Sequence, residues 1–490
     1  MSYPNPITPF LSRLLGIAFI ALGTISSAVA GRAVPEIIAL SEAVKAQPTG
    51  EALAKEQDNF RALFTNGEFE PALESAKQVV ALASEVWGTQ SEQLGQALTN
   101  LAIAQTEVSN FVAAQQNFQA AIRVHELADR SLVSPSLINP LRGLASTRVA
   151  LSDFEEAIPL YERAIHVSHV TAGPSNLNQV EDMDALSRAH FFIGEAKEAN
   201  TIQEKMYRLQ QRNFSTNSDG YLTALERRAN WFTEIGDFTQ ATYTLRRLER
   251  VIAQTYGRDD IRLIEPLIRL SFVTSKQDTG TAGLTPEIAA KEARRAVNRA
   301  VRIARVHEQT DPSLLARTLA SRGDFLLTTN AVRTAANSYR ESFETINAHE
   351  QIADLADELY AKPKIVAREP IRPVYHQSAG NLPTGSYPNQ GFVEVMFDTN
   401  SVGRPIRVRV TDSNPAGLMD SDVMRRVRRF VYRPQYVNGK AVVGQGLTYR
   451  HDFRYDDRRL TQSEKAFIER NRKAREKRQA EAAQATEATP

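Results

Sequence analysis

The clearest regularity along the chain is a column of small apolar positions. Ala72, Ala114, Ala157, Ala199, Ala241, Ala293 and Ala335 follow one another at steps of 42 or 43 residues, with one step of 52 between Ala241 and Ala293. Phe69, Phe111, Phe154 and Phe238 stand three residues before their alanines. Gly67, Ser109, Ser152, Gly194, Gly236 and Asn330 stand five residues before. The stretch Ile235 to Ala241 is the template: it predicts a tight turn between two antiparallel helices. Gly236 suits the left-handed residue that ends the first helix. Asp237 caps the second, with Gln240 placed for a capping box. Ala241 is small enough to let the two helices approach closely.

A second small column, Ala102, Ala145, Ser187, Ala229, Ser271 and Gly323, lies twelve residues upstream of its alanine in every repeat but one. Ser271 lies 22 residues before Ala293, so that repeat carries a ten-residue insertion, placed in the run Asp278 to Thr285. Leu98, Leu141, Met183, Leu225, Leu267 and Leu319 stand four residues before this column as large apolar partners. Phe60 breaks the column in the first repeat, as terminal repeats do. A helix pair of this kind cannot bury its apolar face alone, so neighbours must stack into a solenoid.

Taken together, the two columns resemble the tetratricopeptide repeat family in a 42-residue form, with Phe118, Tyr161 and Tyr339 at that family's next aromatic position. About seven repeats are expected, over residues 51–361, after a lead-in at residues 31–50. The resemblance implies a groove, lined by the first helices, that binds peptides or partner proteins.

After the repeats the pattern changes twice. Pro363, Pro370, Pro373, Pro383 and Pro388, with Gly380 and Gly385, predict an extended linker over residues 362–390. Residues 391–455 then show strand periodicity. Phe392, Val393, Val395 and Phe397 form a first strand, and Ile406, Val408 and Val410 alternate with Arg407 and Arg409 in a second. Asp420 or Ser421 is placed to cap a short helix with Val423, Val427 and Phe430 on one face. Arg425, Arg426, Arg428 and Arg429 are largely on the other face. Asn438-Gly439 is a turn, and Leu447, Tyr449, His451 and Phe453 make a last strand.

This layout resembles the C-terminal domain of TonB energy transducers. The pieces that carry the resemblance are Tyr387-Pro388, Gly391 to Phe397, Gly403 with Ile406 and Val408, Ser413 to Asp420, Phe430 to Pro434, Asn438-Gly439-Lys440 and Asp452-Phe453. In that family a helix separates the Tyr-Pro pair from the glycine of the first strand, whereas here only Asn389 and Gln390 intervene. The resemblance implies a small α+β domain that pairs an extended segment of an outer-membrane transporter with a sheet edge. The residues placed there are Leu447, Tyr449, Arg450, His451 and Phe453. Such transducers also carry a functional histidine in an N-terminal membrane helix. The first 30 residues here contain none, which argues against direct energy coupling through this chain.

At the N-terminus, Arg13, the apolar run Leu14 to Leu22, and Ala28-Val29-Ala30 before Gly31 form a secretory signal pattern, with residues 1–30 removed on export. The expected location is the periplasm, or the inner membrane facing it if the segment is retained. Residues 456–490 are a charged tail, helical to about Ala483.

Composition removes several chemistries. The chain has 490 residues, too many for one core. Its 59 basic and 57 acidic residues nearly balance, and no general attraction to nucleic acid follows. There are no cysteines, hence no disulfide, thiolate metal site or cysteine nucleophile. His166 and His169 lie one helical turn apart without a third ligand, and His190 stands where an aromatic residue packs. No phosphate loop or Ser-His-Asp arrangement is present. Residues 391–455 hold ten arginines and one lysine against six acidic residues, and the arginine face offers a contact for acidic lipid or a plain solvated surface. No catalytic, metal or cofactor site is expected, and no small-molecule substrate. The function that remains is a periplasmic protein-binding scaffold. The alternative is a component of TonB-type energy transduction to outer-membrane transporters.

Overall fold

The structure is a computed structural model. It describes residues 35–277 apart from 37, 39, 42, 43, 45 and 46, together with residues 285–369 and 389–487. The expected signal segment, most of the inserted run after Asp278 and most of the Pro-rich stretch lie outside the described residues. The described chain forms two compact units, residues 35–214 and residues 215–369 with 389–487.

The first unit holds four helix pairs: α1 (Pro48–Asn66) with α2 (Phe69–Trp87), α3 (Glu92–Glu107) with α4 (Phe111–Asp129), α5 (Ile138–Ala150) with α6 (Phe154–Ala172), and α7 (Val180–Phe192) with α8 (Ala196–Asn213). The second opens with three more: α9 (Asp219–Glu234) with α10 (Phe238–Thr255), α11 (Ile264–Thr274) with α12 (Pro286–Val306), and α13 (Pro312–Thr328) with α14 (Val332–Asn347). The insertion falls between α11 and α12. Thr285 ends it by accepting a hydrogen bond from the Ile288 amide, with Pro286 opening the helix.

The repeat columns account for these pairs. Every alanine of the first column is fully buried. In the second, Ala102, Ala145, Ser187, Ala229 and Ser271 are fully buried, and Gly323 is buried. The six turn residues Gly67, Ser109, Ser152, Gly194, Gly236 and Asn330 all have positive φ, between 60° and 90°. That left-handed residue lets each pair reverse within a few residues. Asp237 caps α10 by accepting from the Gln240 amide at 3.0 Å. Ion pairs tie some second helices to the next: Arg163–Glu126 joins α6 to α4, Arg299–Glu249 joins α12 to α10, and Arg305–Glu341 joins α12 to α14.

Beyond α14 the second unit continues through α15 (Leu355–Tyr360) into β1 (Lys364–Ala367), β2 (Asn389–Thr399), β3 (Pro405–Asn414), α16 (Asp420–Val427), β4 (Val431–Arg433), β5 (Gln435–Val437), β6 (Lys440–Val442), β7 (Gly444–Tyr455) and α17 (Gln462–Glu487). The main antiparallel sheet has the order β3-β2-β7. Val423, Val427 and Phe430 bury themselves against its inner face, with Val393, Val395, Phe397 and Phe453. Strand alternation puts Phe392 on the other face, away from that cluster.

Three expectations are corrected here. Residues 364–367 are not linker: they form β1, paired antiparallel with β4. The sheet region is not a separate module either, because Val366 of β1, Val431 of β4 and Tyr436 of β5 share one core with Phe325, Tyr339 and Tyr360. Finally, neither Asp420 nor Ser421 caps α16. The capping position is Met419, which has no side-chain bond, and Asp420 instead accepts from the Ser413 hydroxyl at 3.1 Å.

Candidate peptide-binding face

In the first unit, three successive first helices present amide side chains to one short piece of chain. Asn100 on α3 accepts from the Glu36 amide at 2.8 Å and donates to the Glu36 carbonyl at 2.8 Å. Asn139, at the start of α5, donates to the Glu36 carboxylate at 2.5 Å. Gln57 on α1 donates to the Ile38 carbonyl at 3.0 Å. Two bonds from one amide to the N–H and C=O of a single residue require both groups to point the same way, as they do in an extended chain pairing within a sheet. Asn100 therefore reads backbone, and Asn139 reads a side chain.

The apolar part of the same contact is Ile38, which is 2% exposed and packs into the cluster of Leu53, Phe60, Ala97 and Leu101. Asn100 and Gln57 are buried as well. Burial pushes the Glu36 carboxyl up; the Asn139 bond opposes that shift, and the neighbouring Glu92 adds to it. Further along these helices, Arg142 on α5 holds the buried Asp182 of α7 through two bonds of 2.6 and 2.9 Å. Asp184 accepts from Gln203 at 2.8 Å.

The second unit repeats the polar character on α9 and α11. Arg269 donates to Asn230. Burial holds the Glu265 carboxyl up at about 7, against the pull of Arg269. The Glu226 carboxyl is raised for the same first reason. In the repeat register Glu265 and Arg269 occupy the positions held by Asn139 and Gly143 in the third repeat.

The residues of the expected sheet edge and arginine face fall elsewhere, in the second unit. Leu447, Tyr449, His451 and Phe453 point to the inner face of the sheet, with His451 and Phe453 buried. Arg450 is on the outer face, bonded to Glu394 and Asp452 at 2.9 Å each and lying over the Phe392 ring. β7 pairs with β2 on one side and is an edge of the main sheet. The arginine face of α16 is largely satisfied within the chain. Arg426 and Arg429 bind Glu369 at 3.1 and 3.2 Å, and Arg425 lies 3.9 Å from Asp422. Arg428 is exposed. His166 and His169 are exposed on α6, and His190 is buried with Nδ1 2.6 Å from Glu195. Among the described residues no group of three His, Asp or Glu could hold a metal ion, and no helix is long and apolar enough to cross a membrane.

Sequence reasoning missed Gln57, Asn100 and Asn139, although a signal was there. Polar amides recur on the first helices within a few residues of the fully buried small column, where a purely structural face would be apolar.

No family model matches the chain, and no curated protein matches it in sequence. Among solved structures, the TPR-like repeats of a putative kinesin light chain from Podosopora anserina are 19% identical, covering 43% of this chain and 99% of that one at a TM-score of 0.38. The apo form of RapI is 9% identical over 61% of this chain and 100% of that one, TM-score 0.37. PilF of Pseudomonas aeruginosa is 15% identical over 55% and 100%, TM-score 0.32. Repeat register and turn geometry, independently of these weak likenesses, make this a TPR-like helical repeat protein with a small C-terminal sheet region.

Proposed function

We propose that the protein is an exported scaffold that holds an extended segment of a protein partner on the first-helix face of residues 35–214. The observation that carries this reading is the double hydrogen bond from Asn100 to the main chain of Glu36. A face that binds backbone through a side-chain amide is built for peptide. The test is a photoreactive residue at position 96, one turn before Asn100 on α3, with Val112, 66% exposed on α4, as control. Adducts with extended segments of a partner at position 96, reduced by Asn100→Ala and absent at position 112, are the expected result. Equal labelling at both positions would remove the reading.

A second contact, through the sheet, is favoured by the edge position of β7. With the TonB-like order of sequence pieces, that edge suits an extended segment of an outer-membrane transporter, added by main-chain pairing. The Arg13 to Ala30 pattern supports delivery to the periplasm. If the first 30 residues stay attached, the protein is instead an anchored partner in energy transduction.

A further inference from the structure

The peptide on the proposed binding face is the protein's own. Glu36 precedes α1 and reaches across to α3 and α5, 64 and 103 residues further along the chain. We propose that this lead-in is a displaceable occupant of the groove. The partner that fits is then an extended segment carrying a glutamate or aspartate two residues before an isoleucine, valine or leucine. This rests on the peptide-binding reading above and adds to it both a ligand pattern and a competitor.

The contacts set the pattern. The Glu36 N–H and C=O take the Asn100 amide, the Ile38 C=O takes Gln57, and these three bonds would serve any residue except proline at the first position. Discrimination lies in two places. One is the carboxylate on Asn139. The other is the pocket that closes over Ile38, among Leu53, Phe60, Ala97 and Leu101. The lead-in is also an imperfect ligand. Glu36 is half-buried, and its carboxyl faces the like charge of Glu92 with a single amide donor to offset both. It holds its place chiefly because it is tethered, and tethering raises effective concentration without improving any contact.

A tethered occupant lowers the apparent affinity for a partner by the fraction of time the groove is free. The test uses the chain from Gly31 to Pro490 and a labelled peptide copying residues 33–42, followed by fluorescence anisotropy. Glu36→Pro removes the donor to Asn100 and the carboxylate together, and Ile38→Ser is a second variant that empties the apolar pocket. Circular dichroism checks that each remains folded. The peptide should bind either folded variant about tenfold or more tightly than it binds the unaltered chain, and Asn100→Ala in the same background should abolish the gain. Saturating peptide should also speed hydrogen exchange at the Glu36 amide of the unaltered chain. Equal binding to variant and unaltered chains that still depends on Asn100, with Glu36 exchange unchanged, would overturn the competitor while keeping the groove. No binding to any folded form would overturn the groove as well.

Discussion

Gly323 faces Tyr339 so closely that a Cβ on it would meet the ring at 2.3 Å, and the ring is fully buried with its hydroxyl on Asp324. Gly323→Ala should therefore destabilise the second unit by about 1–3 kcal/mol. Ala229→Leu and Ala241→Leu should do the same. Leucine at the half-buried Ala253 should cost less. Denaturant unfolding reads all four, and unchanged midpoints for the first three would break the repeat register. Glu265 adds a pH term. Its carboxyl is held up at about 7 by burival-driven desolvation in the folded chain. The stability linked to that raised value is fully present below the ordinary carboxylate range and is lost as pH rises through 7. Glu265→Gln should flatten the dependence between pH 5 and 8, as measured by thermal unfolding across that range. At this scale the sequence told which residues are small and buried, because spacing alone marks them. It did not tell that Asn100, Asn139 and Gln57 converge, because the partner they share lies before the first repeat.

Among elements, the six left-handed turns were legible because Gly, Ser and Asn are the residues that suit such turns. The strands β1, β4, β5 and β6 were not. Each is three or four residues long, too short for alternation to declare itself, and β1 carries prolines at its border that read as linker. Besides its pairing with β1, β4 is held by a side-chain pair. Arg433, 3% exposed, donates two bonds to Asp324 of α13 at 2.9 and 2.6 Å. Burial works against the arginine's charge, and Asp324 outweighs it, so its pKa ends raised. Arg433→Met alone leaves Asp324 without its cation, with only the Tyr339 hydroxyl still donating to it, and should cost about 3–5 kcal/mol, whereas Arg433→Met with Asp324→Leu should recover most of the loss. A double-mutant cycle by denaturant unfolding measures it, and additive losses would show that the pair is not coupled. On β7, consecutive amides point to opposite sides. One of Tyr449→Pro and Arg450→Pro should break the pairing with β2 and unfold the sheet. The other should leave circular dichroism unchanged yet abolish binding of an extended partner at that edge. If the folded variant binds as well as the unaltered chain, the edge is not used.

For the whole molecule, the division into a repeat array and a sheet region was legible from the change of period, from helical to alternating, near residue 391. The bond between them was not, since it is made by residues such as Tyr339, Tyr360 and Tyr436 that look ordinary in sequence. N-terminal sequencing of the exported protein should begin at Gly31, and recovery of Met1 or Ser2 in a membrane fraction would favour the anchored alternative. The joint between α13 and β4 has a mechanical meaning. Tyr339 of α14 meets Tyr360 of α15 and Tyr436 of β5 edge to face, and those two rings tilt against each other, with ring centres 5.2–6.3 Å apart, beside the Arg433–Asp324 pair. A load applied to the sheet by anything gripping β7 would not be absorbed by slack polypeptide. It would pass from the sheet's core into β4 through Tyr432, which packs there beside Phe397, and arrive in the last repeat, so that a tug on the sheet is felt in the helices.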